Sequence, residues 1–138
     1  MDVFTPKSGE SRYPGVIFVH GGPLPESILP QGKDLGQLQS FGPFVTAAGL
    51  AGIVFSHGLS GVDAIQDAAR DVDAAVRFVR LNAEDLRVDL DRLCIVFSSA
   101  GGIFLAPFLR DRPPWLKCVV LNYAVLRPGA SKSREGCR

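Results

Sequence analysis

Four short runs of continuously apolar, largely β-branched residues divide this chain of 138 residues and constrain its fold more than any other feature. The runs occupy residues 15–20, 53–57, 93–97 and 117–125, and each lies within a few residues of a glycine, proline or serine. Strands that are covered on both faces have continuous apolar runs of this kind, whereas strands with one solvent-exposed face alternate apolar with polar residues. The runs therefore predict four buried strands.

Segments with a helical period separate these strands. In residues 62–82 the apolar positions recur at intervals of three and four: Val62, Ile65, Ala69, Val72, Val76 and Val79. This spacing predicts a long amphipathic helix. Shorter helices are predicted over residues 41–50 and 103–110, and residues 23–37, which contain three prolines, are predicted to form a long loop.

The alternation of strand and helix predicts a single α/β domain over residues 1–138, with a mostly parallel sheet flanked by helices. Residues 127–138 are polar and contain glycine and proline, so we expect them to form a flexible tail.

The composition argues against several classes of function. The chain has 15 Lys and Arg and 14 Asp and Glu, which gives a formal net charge of +1. We therefore expect no basic surface that could bind a nucleic acid. No apolar run approaches the roughly 20 residues that span a bilayer, and the N-terminus lacks the residue order of a signal peptide. We therefore expect a soluble, cytoplasmic protein with no nucleic-acid or membrane partner.

Cysteine and histidine are too few and too scattered to predict a metal site or a cofactor. The chain has two histidines and three cysteines: His20, His57, Cys94, Cys118 and Cys137. None of them has the spacing of zinc ligands. Two of the cysteines lie inside apolar runs, so we expect buried, reduced thiols rather than a disulfide or a catalytic cysteine.

The residues at the carboxyl ends of the predicted strands carry the chemical signal, because ligands of parallel sheets bind there. The run LCIVF is followed by Ser98, Ser99, Ala100 and two glycines, which is the layout of a nucleophile turn that lifts a serine above the sheet. The pattern G-x-S-x-G is incomplete, since Phe97 stands where its first glycine belongs. A serine that only caps the following helix is the structural alternative.

A second strand end strengthens the catalytic interpretation. Gly21 and Gly22 follow the run GVIFVH, and glycines there can expose backbone amides in conformations closed to other residues. An amide from this loop and that of Ala100 would together form the two-donor oxyanion hole of acyl transfer.

These segments resemble the central part of an α/β-hydrolase-fold serine hydrolase, in the esterase and lipase branch with an HGG oxyanion loop and among dienelactone-hydrolase-like relatives. YPGVIFVHGG is similar to that family's third strand and oxyanion loop, and CIVFSSAGG to its fifth strand and nucleophile turn. MDVFTP, AGIVFSHG and LKCVVLNYAV are similar to its second, fourth and sixth strands, so the resemblance covers about residues 1–126. It implies a truncated α/β-hydrolase fold without the last strands, with Ser99 as nucleophile.

The resemblance also implies an acid and a histidine downstream of the nucleophile, and no histidine follows Ser99 here. His57 and His20, at neighbouring strand ends, are therefore the candidate substitute bases. Alternatively, the apolar run 117–125 is an unpaired sheet edge through which a homodimer forms, and the two chains share a site.

From the sequence we expect a carboxylesterase-type serine hydrolase that cleaves small carboxylic esters without a cofactor. Its predicted site consists of Ser99, His57 and His20 as catalytic residues and of Gly21, Gly22 and Ala100 as oxyanion donors. The other hypothesis is a catalytically inactive hydrolase remnant that serves as a ligand-binding or interaction module.

Overall fold

A computed structural model describes residues 1–7 and 9–126, so the predicted tail at 127–138 lies outside the described residues. The strands are β1 (Asp2–Phe4), β2 (Tyr13–Val19), β3 (Ala51–Val54), β4 (Val88–Ser98) and β5 (Leu116–Asn122). The helices are α1 (Gly36–Ala47), α2 (Ile65–Leu81) and α3 (Ala106–Asp111). Three 3₁₀ segments accompany them: Glu26–Asp34, Val62–Ala64 and Ser99–Phe104.

The five strands form one sheet in the order β1-β3-β2-β4-β5. β2 pairs in parallel with both β3 and β4, β4 pairs in parallel with β5, and β1 runs antiparallel to β3. The predicted α/β domain with a mostly parallel sheet is thereby confirmed. Because β2 and β4 are neighbours, the two loops that follow them leave the sheet side by side.

Helices cover both faces of the sheet, and each face has its own core. On one face α2 packs through Val72, Val76 and Val79 against β-sheet residues that include Ile53 and Ile95. On the other face, α1 contributes Leu38 and Val45 to a smaller cluster, which also contains Val16, Phe18 and Val54 from the sheet. The long helix predicted from the three-and-four spacing is confirmed, although Val62 at its start is 78% exposed.

The region before β3 differs from the prediction. α1 begins at Gly36 and ends at Ala47, whereas a helix was expected over residues 41–50. The helix ends before residue 50 because the chain turns at Gly49, which has a φ of 78°. The predicted loop at 23–37 contains the 3₁₀ segment Glu26–Asp34. Its turns are closed by short-range backbone bonds such as Ile28 N–H to Pro25 O, at 2.9 Å, which need no apolar period in the sequence.

The fourth predicted strand is also different. β5 was expected to be buried over 117–125, yet it ends at Asn122 and its Val120 and Leu121 are 43% and 45% exposed. Within residues 1–7 and 9–126 it pairs with β4 alone, which agrees with the sheet edge expected from the resemblance. The exposure of the cysteines depends on their strands: Cys118 on β5 is exposed, and Cys94 on β4 is half-buried. The expectation of a buried thiol is therefore wrong for Cys118. Both cysteines are free thiols, as expected.

The contact between α1 and β1 yields a stability prediction. A Cβ added at Gly42 would lie 2.3 Å from the ring of Phe4, whereas one added at Gly36 in the same helix meets nothing within 4 Å. Overpacking of this kind destabilises a protein by about 1–3 kcal/mol, so Gly42→Ala is expected to lower the free energy of unfolding by that amount. Urea denaturation of Gly42→Ala and of the control Gly36→Ala measures it, and equal stability of the two variants would contradict the packing.

Candidate active site

The chain makes a sharp turn at Ser99, directly after β4. Ser99 has a φ of 48°, in the left-handed region that non-glycine residues rarely occupy, and the segment Ser99–Phe104 continues as a 3₁₀ turn. A residue held in such a conformation costs about 1–3 kcal/mol and persists only where the surrounding structure enforces it. Ser98 is 5% exposed, while Ser99 is only partly buried. The helix predicted at 103–110 is thus a 3₁₀ turn followed by the short α3.

The loop after β2 lies directly against this turn. A Cβ on Gly101 would be 2.5 Å from the carbonyl oxygen of His20 and 2.9 Å from that of Val19. A Cβ on Gly21 would be 2.7 Å from the Cβ of Ser99 and 3.1 Å from its Oγ. Backbone approach of this closeness is possible only where side chains are absent. The structure therefore brings Gly21 against Ser99, the residue before Ala100, whereas a Cβ on Gly22 would have atoms of Leu59 as its nearest neighbours.

The segment after β5 holds the turn from the other side. The amide of Val125 donates to the carbonyl oxygen of Ser99 at 2.7 Å, and a Cβ on Gly102 would be 2.6 Å from the carbonyl oxygen of Val125. Tyr123, between β5 and Val125, has a φ of 42° and is 65% exposed. The sequence does not indicate the role of Val125, since a backbone donor leaves no mark on residue type.

An open cavity of about 250 Å³ adjoins Ser99. Its lining includes His20, Gly21, Gly22, Leu24, Leu38, Phe41, Ser98, Ser99 and Tyr123. The larger hollow, of about 460 Å³, lies between α2 and α3 and is bordered by none of the predicted site residues. We take the smaller cavity as the candidate site because it contains the strained serine and the loop glycines.

The two histidines form a buried, stacked pair behind the loop. Their ring centroids are 3.7 Å apart, and they are 3% and 2% exposed. His57 Nε2 donates to the carbonyl oxygen of His20 at 3.0 Å, and the amide of His57 donates to His20 Nε2 at 3.4 Å. His20 Nδ1 donates to the carbonyl oxygen of Gly21. His20 borders the cavity of Ser99, whereas His57 does not.

The 3₁₀ segment Glu26–Asp34 packs against His20 of this pair. A Cβ on Gly32 would be 2.9 Å from His20 Nε2, so this glycine lets the segment approach the ring. Ser56, which follows β3, fixes the segment by accepting a bond from the amide of Lys33 at 3.0 Å and donating to Pro30 O at 3.1 Å.

Burial determines the electrostatics of the pair. It lowers the pKa of His57 to about 4, with a smaller contribution from the neighbouring His20, and it also lowers the pKa of His20. Nδ1 of His57 is buried and has no hydrogen-bond partner in the described part of the chain. Both rings are therefore neutral at neutral pH.

Within residues 1–7 and 9–126, no group of three or more His, Cys, Asp or Glu side chains is arranged to hold a metal ion. Over the same residues, no helix is both long enough and apolar enough to span a membrane.

The buried histidines predict that stability depends on pH. Since the unfolded chain protonates His57 near pH 6.5 and the folded chain only near 4, the unfolded state binds more protons between these values, and stability falls as the pH falls through this window. The expected loss from His57 is about 2 kcal/mol between pH 8 and pH 5.

Urea denaturation at these pH values measures the loss. The control is His57→Gln, which removes the titrating ring and should reduce the pH dependence by more than half. An unchanged slope in His57→Gln would contradict the assignment.

Comparisons with known proteins give the following findings. The sequence model of the BD-FAE family matches residues 1–109. No curated protein matches the chain. The structure is similar to that of a bacterial heroin esterase, with 20% identity and a TM-score of 0.67, over 89% of this chain and 38% of that one.

Two further solved structures extend the comparison. A hyperthermophilic esterase from Pyrobaculum calidifontis has 22% identity and a TM-score of 0.67, over 88% of this chain and 39% of that one. A bifunctional GH43-CE protein from Bacteroides eggerthii has 26% identity and a TM-score of 0.60, over 74% of this chain and 14% of that one. The chain thus spans less than half the length of each of these three proteins.

Proposed function

The chain belongs to the BD-FAE family and contains part of the α/β-hydrolase fold, and from this premise we propose that it hydrolyses small carboxylic esters by acyl transfer through Ser99. The esterases among its structural relatives support ester hydrolysis in general. The observation that carries the proposal is the left-handed φ of 48° at Ser99, directly beside the glycine loop. A strained serine of this kind, next to exposed amides, is the arrangement of a nucleophile.

The proposed reaction has two steps. Ser99 Oγ attacks the carbonyl carbon of the ester and loses its proton, and the alcohol leaves as the acyl group is bonded to Ser99. A water molecule then attacks the acyl-enzyme, which releases the acid and restores the serine. Ser98 is the less suitable nucleophile because it is almost fully buried.

The negative charge that develops on the carbonyl oxygen requires donors, and we assign this role to the backbone amides of Gly21, Gly22 and Ala100. In the part of the chain that the structure describes, the amides of Gly21 and Gly22 donate to no protein acceptor. Ala100 is in the first turn of a 3₁₀ segment, where amides have no partner within the turn. Each such donor is worth about 10²–10³ in rate.

The contacts of the histidines favour a positioning role over that of a base. The rings of His20 and His57 are bonded to the backbone of the loop that carries Gly21, and their lowered pKa values make them weak bases. The proton of Ser99 would then pass to hydroxide from the solvent, or to a group that a second copy brings to the cavity. Even without a histidine base, an oxyanion hole and substrate binding accelerate acyl transfer by an estimated 10³–10⁴-fold over water.

The nucleophile is tested by hydrolysis of p-nitrophenyl acetate. Ser99→Ala is expected to lower the rate to the background of the buffer, because the acyl-enzyme cannot form. Ser98→Ala is the matched control, and its kcat/KM should stay within about tenfold of the parent. A rate that survives Ser99→Ala would contradict the serine mechanism and would leave an inactive remnant of the fold as the remaining hypothesis.

The β5 edge gives the proposed homodimer a testable interface. Leu121 is 45% exposed on β5, whose outer edge pairs with no strand in the part of the chain that the structure describes, and a lysine there discourages pairing between strands. We expect the parent chain to sediment as a dimer and Leu121→Lys as a monomer. The control Leu81→Lys, at a position on α2 that is 77% exposed, should leave the dimer intact. A monomeric parent chain would contradict the interface.

A further inference from the structure

Two cysteines face each other across the β4–β5 pair. Cys94 and Cys118 are register partners in these parallel strands, next to the pairs Ile95 with Val119 and Val96 with Val120. Register partners of a parallel pair lie on the same face of the sheet. Cys94, Val96, Cys118 and Val120 border one apolar groove of about 400 Å³, which confirms that they share a face.

The spacing of the two strands suits a disulfide. Neighbouring strands lie about 4.7–4.9 Å apart, and disulfides usually join Cα atoms that are about 4.4–6.8 Å apart. The Cys118 side chain is also close enough to the Cys94 thiol to contribute to the raised pKa of that thiol. A bond between the two sulfur atoms therefore requires no change in the register of β5.

The two thiols differ in reactivity. Cys118 is exposed, so an oxidant reaches it from the solvent. Burial, together with the neighbouring Cys118, raises the pKa of the Cys94 thiol, which therefore keeps its proton at neutral pH. We therefore expect Cys118 to react first with an oxidant, and Cys94 to attack the oxidised Cys118 and complete the disulfide.

We propose that Cys94 and Cys118 form a peroxide-sensitive dithiol that closes to a disulfide between β4 and β5. In the first step the Cys118 sulfur attacks one oxygen of hydrogen peroxide, which gives a sulfenic acid and one water. In the second step the Cys94 sulfur bonds to the Cys118 sulfur, and the sulfenic hydroxyl leaves with the proton of Cys94 as a second water. The two sulfur atoms together give up two electrons, which reduce the peroxide.

The disulfide would join β4 to β5, the strand that leads into the segment contacting the turn at Ser99. Among the described residues, the strand that pairs with β5 is β4, and the segment that follows β5 donates the Val125 amide to Ser99. A covalent bond between the strands fixes this edge in the register that makes the contact. The inference stands on the cysteine geometry and does not depend on whether Ser99 is a nucleophile.

The test uses the full chain with Cys137→Ser, so that only the paired thiols remain. The chain is treated with hydrogen peroxide, its free thiols are blocked with N-ethylmaleimide, and its peptides are mapped by mass spectrometry without reduction. We expect the Cys94 and Cys118 peptides to be linked within one chain, about 2 Da below the sum of their masses, and to separate on reduction.

Two further variants decide the order of events. In Cys94→Ser, the sulfenic acid on Cys118 should persist, and its labelling by dimedone should rise at least about tenfold over the parent. In Cys118→Ser, Cys94 should remain a free thiol after the same treatment. Equal dimedone labelling with and without Cys94, or a disulfide only between chains, would overturn the proposal.

Discussion

The close backbone contact between the end of β2 and the turn after β4 is the constraint on which the rest of the site depends. The carbonyl oxygens of Val19 and His20 lie where a side chain on Gly101 would be, and Gly21 lies against Ser99 in the same way. The parallel pairing of β2 with β4, from Gly15 with Leu93 to Val19 with Phe97, brings the two loops to this distance. Strain at Ser99 is therefore maintained by the register of two central strands, together with the Val125 amide that donates to the carbonyl oxygen of Ser99 from the segment after β5.

The histidine pair shows how the same contact shapes the chemistry. Both rings form hydrogen bonds with backbone atoms of residues 20 and 21, directly after β2, and the 3₁₀ segment Glu26–Asp34 packs against the ring of His20. Rings that are buried in this way are neutral at neutral pH. In the proposed reaction they would therefore orient the loop rather than remove the proton of Ser99, and the rate would depend mainly on stabilisation of the developing oxyanion.

Much of the fold follows from sequence because its signals are local. The continuous apolar runs predict β2 and β4, and the three-and-four spacing predicts α2, since burial on both faces or on one face imposes these periods directly. The turn at Ser99 could be predicted from the small residues that follow it. These features depend on neighbours within a few residues along the chain.

The features that the sequence does not predict depend on tertiary position. Val120 and Leu121 are as apolar as residues of a central strand, so the apolar run by itself indicates burial, and their exposure at a sheet edge was expected only from the family resemblance. The stacking of His20 on His57 depends on a parallel pairing of β2 with β3 that no short pattern encodes. In the same way, Cys94 and Cys118 are opposite each other because of the register of β4 with β5, which shifts between Leu93 and Cys94.

Covalent labelling tests the central claim most directly, namely that Ser99 is presented for reaction beside the amides of the glycine loop. The chain is incubated with a fluorophosphonate, and the modified residue is identified by peptide mapping. The account predicts a single phosphonyl group on Ser99, whereas an unmodified chain, or a label on any other residue, would contradict it.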